Sequence, residues 1–323
     1  MSNVQMEFLN SLQTIVQSVQ ILMSVSIGTN KRKMKDNASI LVTGGCGFIG
    51  GHLVEKLINV YPNCSIVVVD DLRTKNPHHI RDSRIQYYYD DIQSKAEYVQ
   101  RKHKFDYIFH LGNTPRVRRA IEFPQETIDN NVTSTTAVAE IGINHNCPVY
   151  FAQSSSVQYT EETASNAYTL SKIFADMILD LYQTEYGLQV TKMYFYSVYG
   201  PREADYGPYS TVVKRFMQRV EADETLEIYG DGSKTRDFTH VDDVVNNMLM
   251  MMEEVGIVDE VHFGRGDPKS IEQIANTFDH PKVYKFNLPG EAQDTYCPEG
   301  YGEYEKDVLE YITEWVKGRR NVH

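Results

Sequence analysis

Along the first two thirds of the chain, short apolar runs alternate with stretches whose apolar residues recur at helical spacing. Ile40–Val42, Ile66–Val69, Ile85–Tyr89, Tyr107–Leu111, Val149–Ala152 and Val190–Phe195 are rich in β-branched and aromatic residues, as buried strands are. Between them, residues 51–60, 94–103, 125–145 and 167–186 carry apolar stripes that predict helices. Strand–helix alternation of this kind builds a parallel sheet with helices on both faces. Ligands then bind beyond the carboxyl ends of the strands. Farther on, 209–222, 240–253, Ser270–Phe278 and Lys306–Lys317 predict helices, with strands at Leu226–Tyr229 and Glu260–Phe263. The Met248–Met252 run reads as a buried helix face.

The first predicted strand opens into Thr43-Gly44-Gly45-Cys46-Gly47-Phe48-Ile49-Gly50 and then into a helix. Strand, glycine turn and helix form the context in which such a triplet binds a dinucleotide. Gly44 allows the tight turn, Gly47 the approach of a pyrophosphate, and Gly50 close packing of helix on strand. The phosphates would sit at the helix start, on unpaired N–H groups. The second strand ends in Asp70, 20 residues after Gly50, where a carboxylate can hold the adenosine ribose hydroxyls. An acid there repels a 2′-phosphate, so NAD is expected rather than NADP. The predicted fold is therefore α/β and Rossmann-type, a doubly wound parallel sheet with a smaller α/β substrate-binding lobe.

Composition narrows the partners. A formal net charge of −12 argues against nucleic acid, which selects a basic stripe. Cys46, Cys64, Cys147 and Cys297 show no paired spacing, and the histidines show no ligand spacing, so neither a metal nor a disulfide framework is expected. That pattern fits a reducing cytoplasm. Residues 1–37 precede the first strand. Their stripe, including Phe8, Leu9, Leu12, Ile15, Val16 and Val19, is interrupted by Gln13, Gln17 and Gln20 and lacks a basic leader. It is read as an amphipathic helix with a basic linker at Lys31–Lys35, not a signal peptide or a membrane span. Met34 would serve as an alternative start.

Chemistry is expected after the fifth strand, at Gln153-Ser154-Ser155-Ser156, and on the following helix, where Tyr168 and Lys172 stand four apart. Positions i and i+4 share a helix face. An ammonium beside a phenol lowers the phenol's pKa toward working pH. A hydroxyl from the neighbouring strand could hydrogen-bond the substrate oxygen that exchanges the proton.

These features together resemble the extended short-chain dehydrogenase/reductase family, in its nucleotide-sugar branch, from Ile40 to about Pro289. The glycine stretch looks like that family's TGGxGFIG, and Asp91-Ile92 like its adenine-side pair. His110-Leu111-Gly112-Asn113 resembles HLAA, and Asn131-Val132-Thr133-Ser134-Thr135 resembles NVxGT. Val198-Tyr199-Gly200-Pro201-Arg202 is similar to VYGPR. Tyr229-Gly230-Asp231-Gly232 with Arg236–Asp243 looks like the substrate-lobe signature. The resemblance implies NAD contacts at Gly44, Gly47, Phe48, Ile49, Asp70, Asp71, Arg73, Asp91, Ile92, Leu111, Gly112, Asn131, Tyr168, Lys172 and Phe195. It implies a catalytic trio of Ser154, Tyr168 and Lys172, with Ser155 as the alternative if the loop shifts by one. It implies nucleotide-sugar contacts at Ser154, Ser197, Glu227, Tyr229 and Arg236, the last on the diphosphate. The implied division is an NAD-binding domain at 38–195, rejoined by 240–263, and a substrate lobe at 196–239 and 264–323. A homodimer through the 125–145 and 167–186 helices is also implied.

The same comparison bears on the reaction. The family's 4,6-dehydratases carry Asp-Glu where this chain has Ser155-Ser156. Serines suit a reaction that needs only reversible oxidation, so an NAD-dependent 4-epimerase of a UDP-hexose is expected. A dehydratase, a 4-keto-sugar reductase or a non-catalytic NAD-binding regulator are the alternatives. The chain departs from the family pattern at Ser197 for Asn, at Ala120 for Ser and at Leu288 for Arg. It also has Gln158-Tyr159 for Tyr-Gly and a short Ser154–Tyr168 loop.

Overall fold

The computed structural model of the protein describes residues 34–74, 79–159, 166–204, 209–287 and 292–320. The N-terminal stripe, most of the basic linker and Leu288 lie outside these residues. In chain order the strands are β1 (Ser39–Thr43), β2 (Ser65–Val69), β3 (Ile85–Tyr88), β4 (Tyr107–His110), β5 (Val149–Ser154) and β6 (Val190–Phe195). Then come β7 (Leu226–Tyr229), β8 (Thr235–Arg236), β9 (Glu260–Phe263), β10 (Lys269–Ser270), β11 (Lys282–Lys285) and β12 (Asp294–Thr295). The helices are α1 (Phe48–Val60), α2 (Ile92–Lys102), α3 (Val117–Glu122), α4 (Pro124–His145) and α5 (Ala167–Tyr186). They continue with α6 (Val212–Glu221), α7 (Val241–Glu254), α8 (Ile271–Thr277) and α9 (Val308–Arg320).

Seven strands form one sheet in the order β3-β2-β1-β4-β5-β6-β9, all paired in parallel. The pleat sends alternate residues to opposite faces. On β1 and β2, Ile40, Val42, Ile66 and Val68 enter one apolar layer, while Leu41, Val67 and Val69 enter the other. Helices α1 and α7 close the first layer with Leu53, Leu57, Met248, Met251 and Met252, so most of the methionine run is core. Helices α2, α4 and α5 close the second with Val99, Val138, Ile141, Ala175 and Leu179. Each such Val, Leu, Ile or Met side chain contributes roughly 1.5–3 kcal/mol. Strand order reverses between β1 and β4, which opens the crevice where α/β sheets bind ligands.

A smaller lobe lies beyond β6. There β7 pairs with β11, and β8 lies between β10 and β12. Its core holds Phe216, Leu226, Ile228, Ile274, Phe278 and Ile312. Caps set several ends differently from the apolar pattern. Thr211 accepts from Lys214 N, which delays α6 to Val212. Ser270 and Gln273 form a capping box that starts α8 at Ile271. Pro124 opens α4 at its first position, and the extra turn α3 precedes it.

Candidate active site

The glycine turn is held by contacts that exclude side chains. Gly44 has φ +70, and a Cβ there would lie 2.6 Å from the Leu111 carbonyl oxygen. A Cβ on Gly50 would lie 2.1 Å from the Gly44 carbonyl oxygen, so the helix start rests directly on the strand end. Gly47 caps α1 without a side-chain acceptor. The first N–H groups of α1 thus face the crevice with no capping side chain over them, as an anion site requires.

Asp70, at the end of β2, accepts from Cys46 N and Leu72 N, each at 2.9 Å, one on each carboxylate oxygen. Burial raises its pKa, and these amides draw it back down. Each oxygen keeps a lone pair for a ribose hydroxyl. Asp71 pairs with Arg73, whose guanidinium also donates to Thr114 Oγ1 at 2.9 Å. Asp91 caps α2 by accepting from Ser94 N. Gly112 N donates to Thr43 Oγ1 and closes the β4 end against β1.

Ser154 ends β5, and Tyr168 and Lys172 lie on successive turns of α5, which Asn166 caps. Burial raises the Tyr168 phenol, while a hydrogen bond with Ser154 and the charge of Arg116 draw it down. Ser154 Oγ also lies 2.9 Å from Ser156 Oγ, to which Thr169 donates. Lys172 is buried, and its ammonium donates to Asn113 Oδ1 at 2.7 Å and the Ala152 carbonyl at 2.5 Å, beside the Phe151 ring. Burial pulls it down to about 7. The sequence expectation placed Lys172 as the cation acting on Tyr168. In the structure the Lys172 ammonium is turned toward the strand ends, and the charge of Arg116 adds to what draws the phenol down.

The cleft between sheet and lobe has a volume of about 460 Å³. Every residue expected from the sequence lines it except Asn131. Asn131 is fully buried: Thr114 N and Ser171 Oγ take its amide, which pins the loop after β4 to α5. It therefore positions the wall and does not form it. Phe48, Ile49, Ile92, Leu111 and Phe195 supply apolar wall. Ser197 lies at φ +28, a backbone that asparagine tolerates better than serine. Glu227 pairs with Arg219 at 2.9 Å. Tyr229 lies between the Arg118 and Arg215 guanidinium groups, 5.6 and 6.0 Å from its ring centre. Arg236 donates to the carbonyls of Thr235, Ala292 and Gln293, which fixes its fork at the cleft edge.

Sequence reasoning missed Asn113, Arg116, Arg118, Glu203 and Arg215, all on the wall. The available sign was Arg116-Val117-Arg118-Arg119 directly after a strand end, where ligands of parallel sheets lie.

A glycine turn at the switch point, a ribose acid and a Ser-Tyr-Lys group with its lysine buried together define a dinucleotide-dependent enzyme of the α/β class. Residues 40–262 match the NAD dependent epimerase/dehydratase family, and the chain belongs to that family. Its cofactor is NAD, and the turn, Asp70 and the apolar wall fit that group. The chain is 29% identical over 252 residues to a UDP-N-acetyl-alpha-D-glucosaminuronate decarboxylase of Bacillus cytotoxicus, covering 73% of this chain and 77% of that one. It is 29% identical over 256 residues to a putative UDP-glucose 4-epimerase of Methanocaldococcus jannaschii, covering 75% and 81%. Its fold matches a UDP-glucose 4-epimerase of Thermotoga maritima solved with UDP-glucose. The TM-score is 0.76 at 26% identity, over 88% of this chain and 100% of that one. The family and these relatives together point to nucleotide-sugar enzymes of the epimerase/dehydratase kind.

Proposed function

We propose that the protein is an NAD-dependent 4-epimerase of a nucleotide hexose, UDP-linked, acting by transient oxidation at sugar C4. The observation that carries this is the serine triplet beside Tyr168. Water elimination needs an added acid and base next to the acid–base tyrosine, and Ser155 and Ser156 supply neither. Reversible oxidation needs only a proton acceptor and a hydride acceptor. Tyr168 would take the C4 hydroxyl proton and return it, and Ser154 would hold the same oxygen. Bound NAD supplies the hydride acceptor and then the donor. Lys172 lies one turn behind Tyr168, where it would hold the nicotinamide ribose. Arg236 would face the diphosphate with its fixed fork, and Tyr229 would lie beside the base.

We further infer a homodimer. Phe174, Met177 and Leu181 lie along one face of α5 and are 38%, 62% and 52% exposed, a stripe that a second copy would cover. A cytoplasmic location fits four buried cysteines with free thiols. Titrating the NAD-loaded protein with UDP-glucose and UDP-galactose tests the reaction. The bound cofactor should gain NADH absorbance, and the two sugars should interconvert. Unchanged absorbance and no interconversion with any nucleotide sugar would leave a non-catalytic NAD-binding protein.

A further inference from the structure

Asn113 stands three residues beyond β4 on the cleft wall, and the proposed cycle gives its side chain no part. The Lys172 ammonium lies 2.7 Å from one end of its carboxamide. An ammonium only donates, so that end is the oxygen, Oδ1. The amide nitrogen, Nδ2, then faces Ser134 Oγ at 2.9 Å and His110 Nε2 at 3.1 Å. Burial and the charge of Lys172 push the His110 ring down to about 3, so it carries one proton. With Nδ2 donating to it, Nε2 must accept, and the ring proton lies on Nδ1. Nδ1 donates to Thr43 Oγ1 at 2.7 Å. The other tautomer would set two N–H groups against each other at 3.1 Å. Thr135 Oγ1, 3.3 Å from Nε2, spends its own hydrogen on the Asn131 carbonyl at 2.6 Å and does not compete. One ordered chain of donors thus runs from Lys172 through Asn113 and His110 to Thr43, the residue before the glycine turn.

We propose that Asn113 is a positioning residue for Lys172, taking with the Ala152 carbonyl two of its three ammonium N–H groups and leaving the third for the nicotinamide ribose. His110 fixes which way the Asn113 carboxamide faces. Lysine and glycine turn are then held from the same two strand ends, β1 and β4. The inference rests on Lys172 holding that ribose, as in the 4-epimerase reading, and not on which sugar reacts. An alanine in place of Asn113 would offer the ammonium no acceptor and the His110 ring no donor.

The test is a double-mutant cycle on calorimetric NAD affinity, with Asn113→Ala, Lys172→Met and the two combined. Asn113→Ala should weaken NAD about 10-fold in the parent and less than about twofold in the Lys172→Met background. A loss of the same size in both backgrounds would mean that Asn113 merely supports the wall, and it overturns the proposal. So does no loss in either, or a Lys172→Met protein that binds NAD as the parent does. Asn113→Asp gives a second route should the alanine variant not fold. It keeps an acceptor on the ammonium, and His110 can turn to its other tautomer to donate to the carboxylate. This variant should bind NAD within about threefold of the parent, and about 10-fold more weakly than Lys172→Met once that change leaves the carboxylate unpaired. Equal effects in both backgrounds again overturn the proposal. Sugar turnover is read separately. Its absence with every nucleotide sugar removes the epimerase reading, while the NAD cycle still judges Asn113.

Discussion

Replacing Lys172 with methionine should abolish turnover and remove a pH dependence of folding that the cofactor-free protein carries. The Lys172 side chain is buried, and burial pulls its ammonium from 10.5 to about 7. The folded pKa is depressed below the unfolded one. Between about pH 7 and 10.5 the unfolded chain therefore binds more protons, and stability rises with pH. Below pH 7 the full cost of burying the cation is present, roughly 5 kcal/mol at 1.36 kcal/mol per pH unit. About 2 kcal/mol of it should be recovered between pH 7 and 9. Methionine has similar length and can pack on Phe151, but it leaves Asn113 Oδ1 and the Ala152 carbonyl without this donor. Each lost partner costs about 1–3 kcal/mol, so the net change at pH 7 is small. The decisive quantity is the slope. His110, beside Lys172, is pushed down to about 3 by burial and by that charge, so it stays neutral in this window. Urea unfolding of the cofactor-free parent and Lys172→Met at pH 7, 8 and 9 measures the difference. The parent should gain about 2 kcal/mol on the variant. Parallel profiles would mean that the folded lysine titrates near its ordinary value, and the argument from burial would fail.

Tyr168→Phe should lower kcat by about 10²- to 10⁴-fold, while calorimetric NAD affinity stays within a few-fold. Full activity in that variant would remove the phenol from its role. Gly50→Ala places a Cβ 2.1 Å from the Gly44 carbonyl oxygen, so the helix start must lift off the strand. Unfolding free energy should fall by about 1–3 kcal/mol and NAD binding should weaken. Unchanged values of both would show that the contact is not maintained. Met177→Glu puts a charge in the exposed α5 stripe, and light scattering should report monomers where the parent is a dimer. An unchanged mass would place the interface elsewhere.

The parts of this protein legible in its sequence are those that depend on neighbours along the chain. The Gly44-Gly47-Gly50 turn is set within seven residues by backbone geometry. The runs that became β1 and β2 are buried on both faces, so they read as nearly unbroken apolar segments. The spacing of Tyr168 and Lys172 likewise puts both on one face of α5, a turn apart. The same spacing could not say where the lysine points. Its ammonium is claimed by Asn113, 59 residues earlier, and by the Ala152 carbonyl, 20 residues earlier. Only the pairing of β4 with β5 brings those acceptors together. Asn131 lies behind the cleft wall for the same reason: its partners Thr114 and Ser171 lie 17 and 40 residues away, and both draw it under the wall. Arg116, at φ +81, escaped notice because a positive φ on a non-glycine residue leaves no trace in an apolar pattern. The strain is held by Tyr209, 93 residues on, where the lobe closes over the sheet. Shared geometry across that closure, not any local motif, fixes the Arg116 guanidinium on the cleft wall.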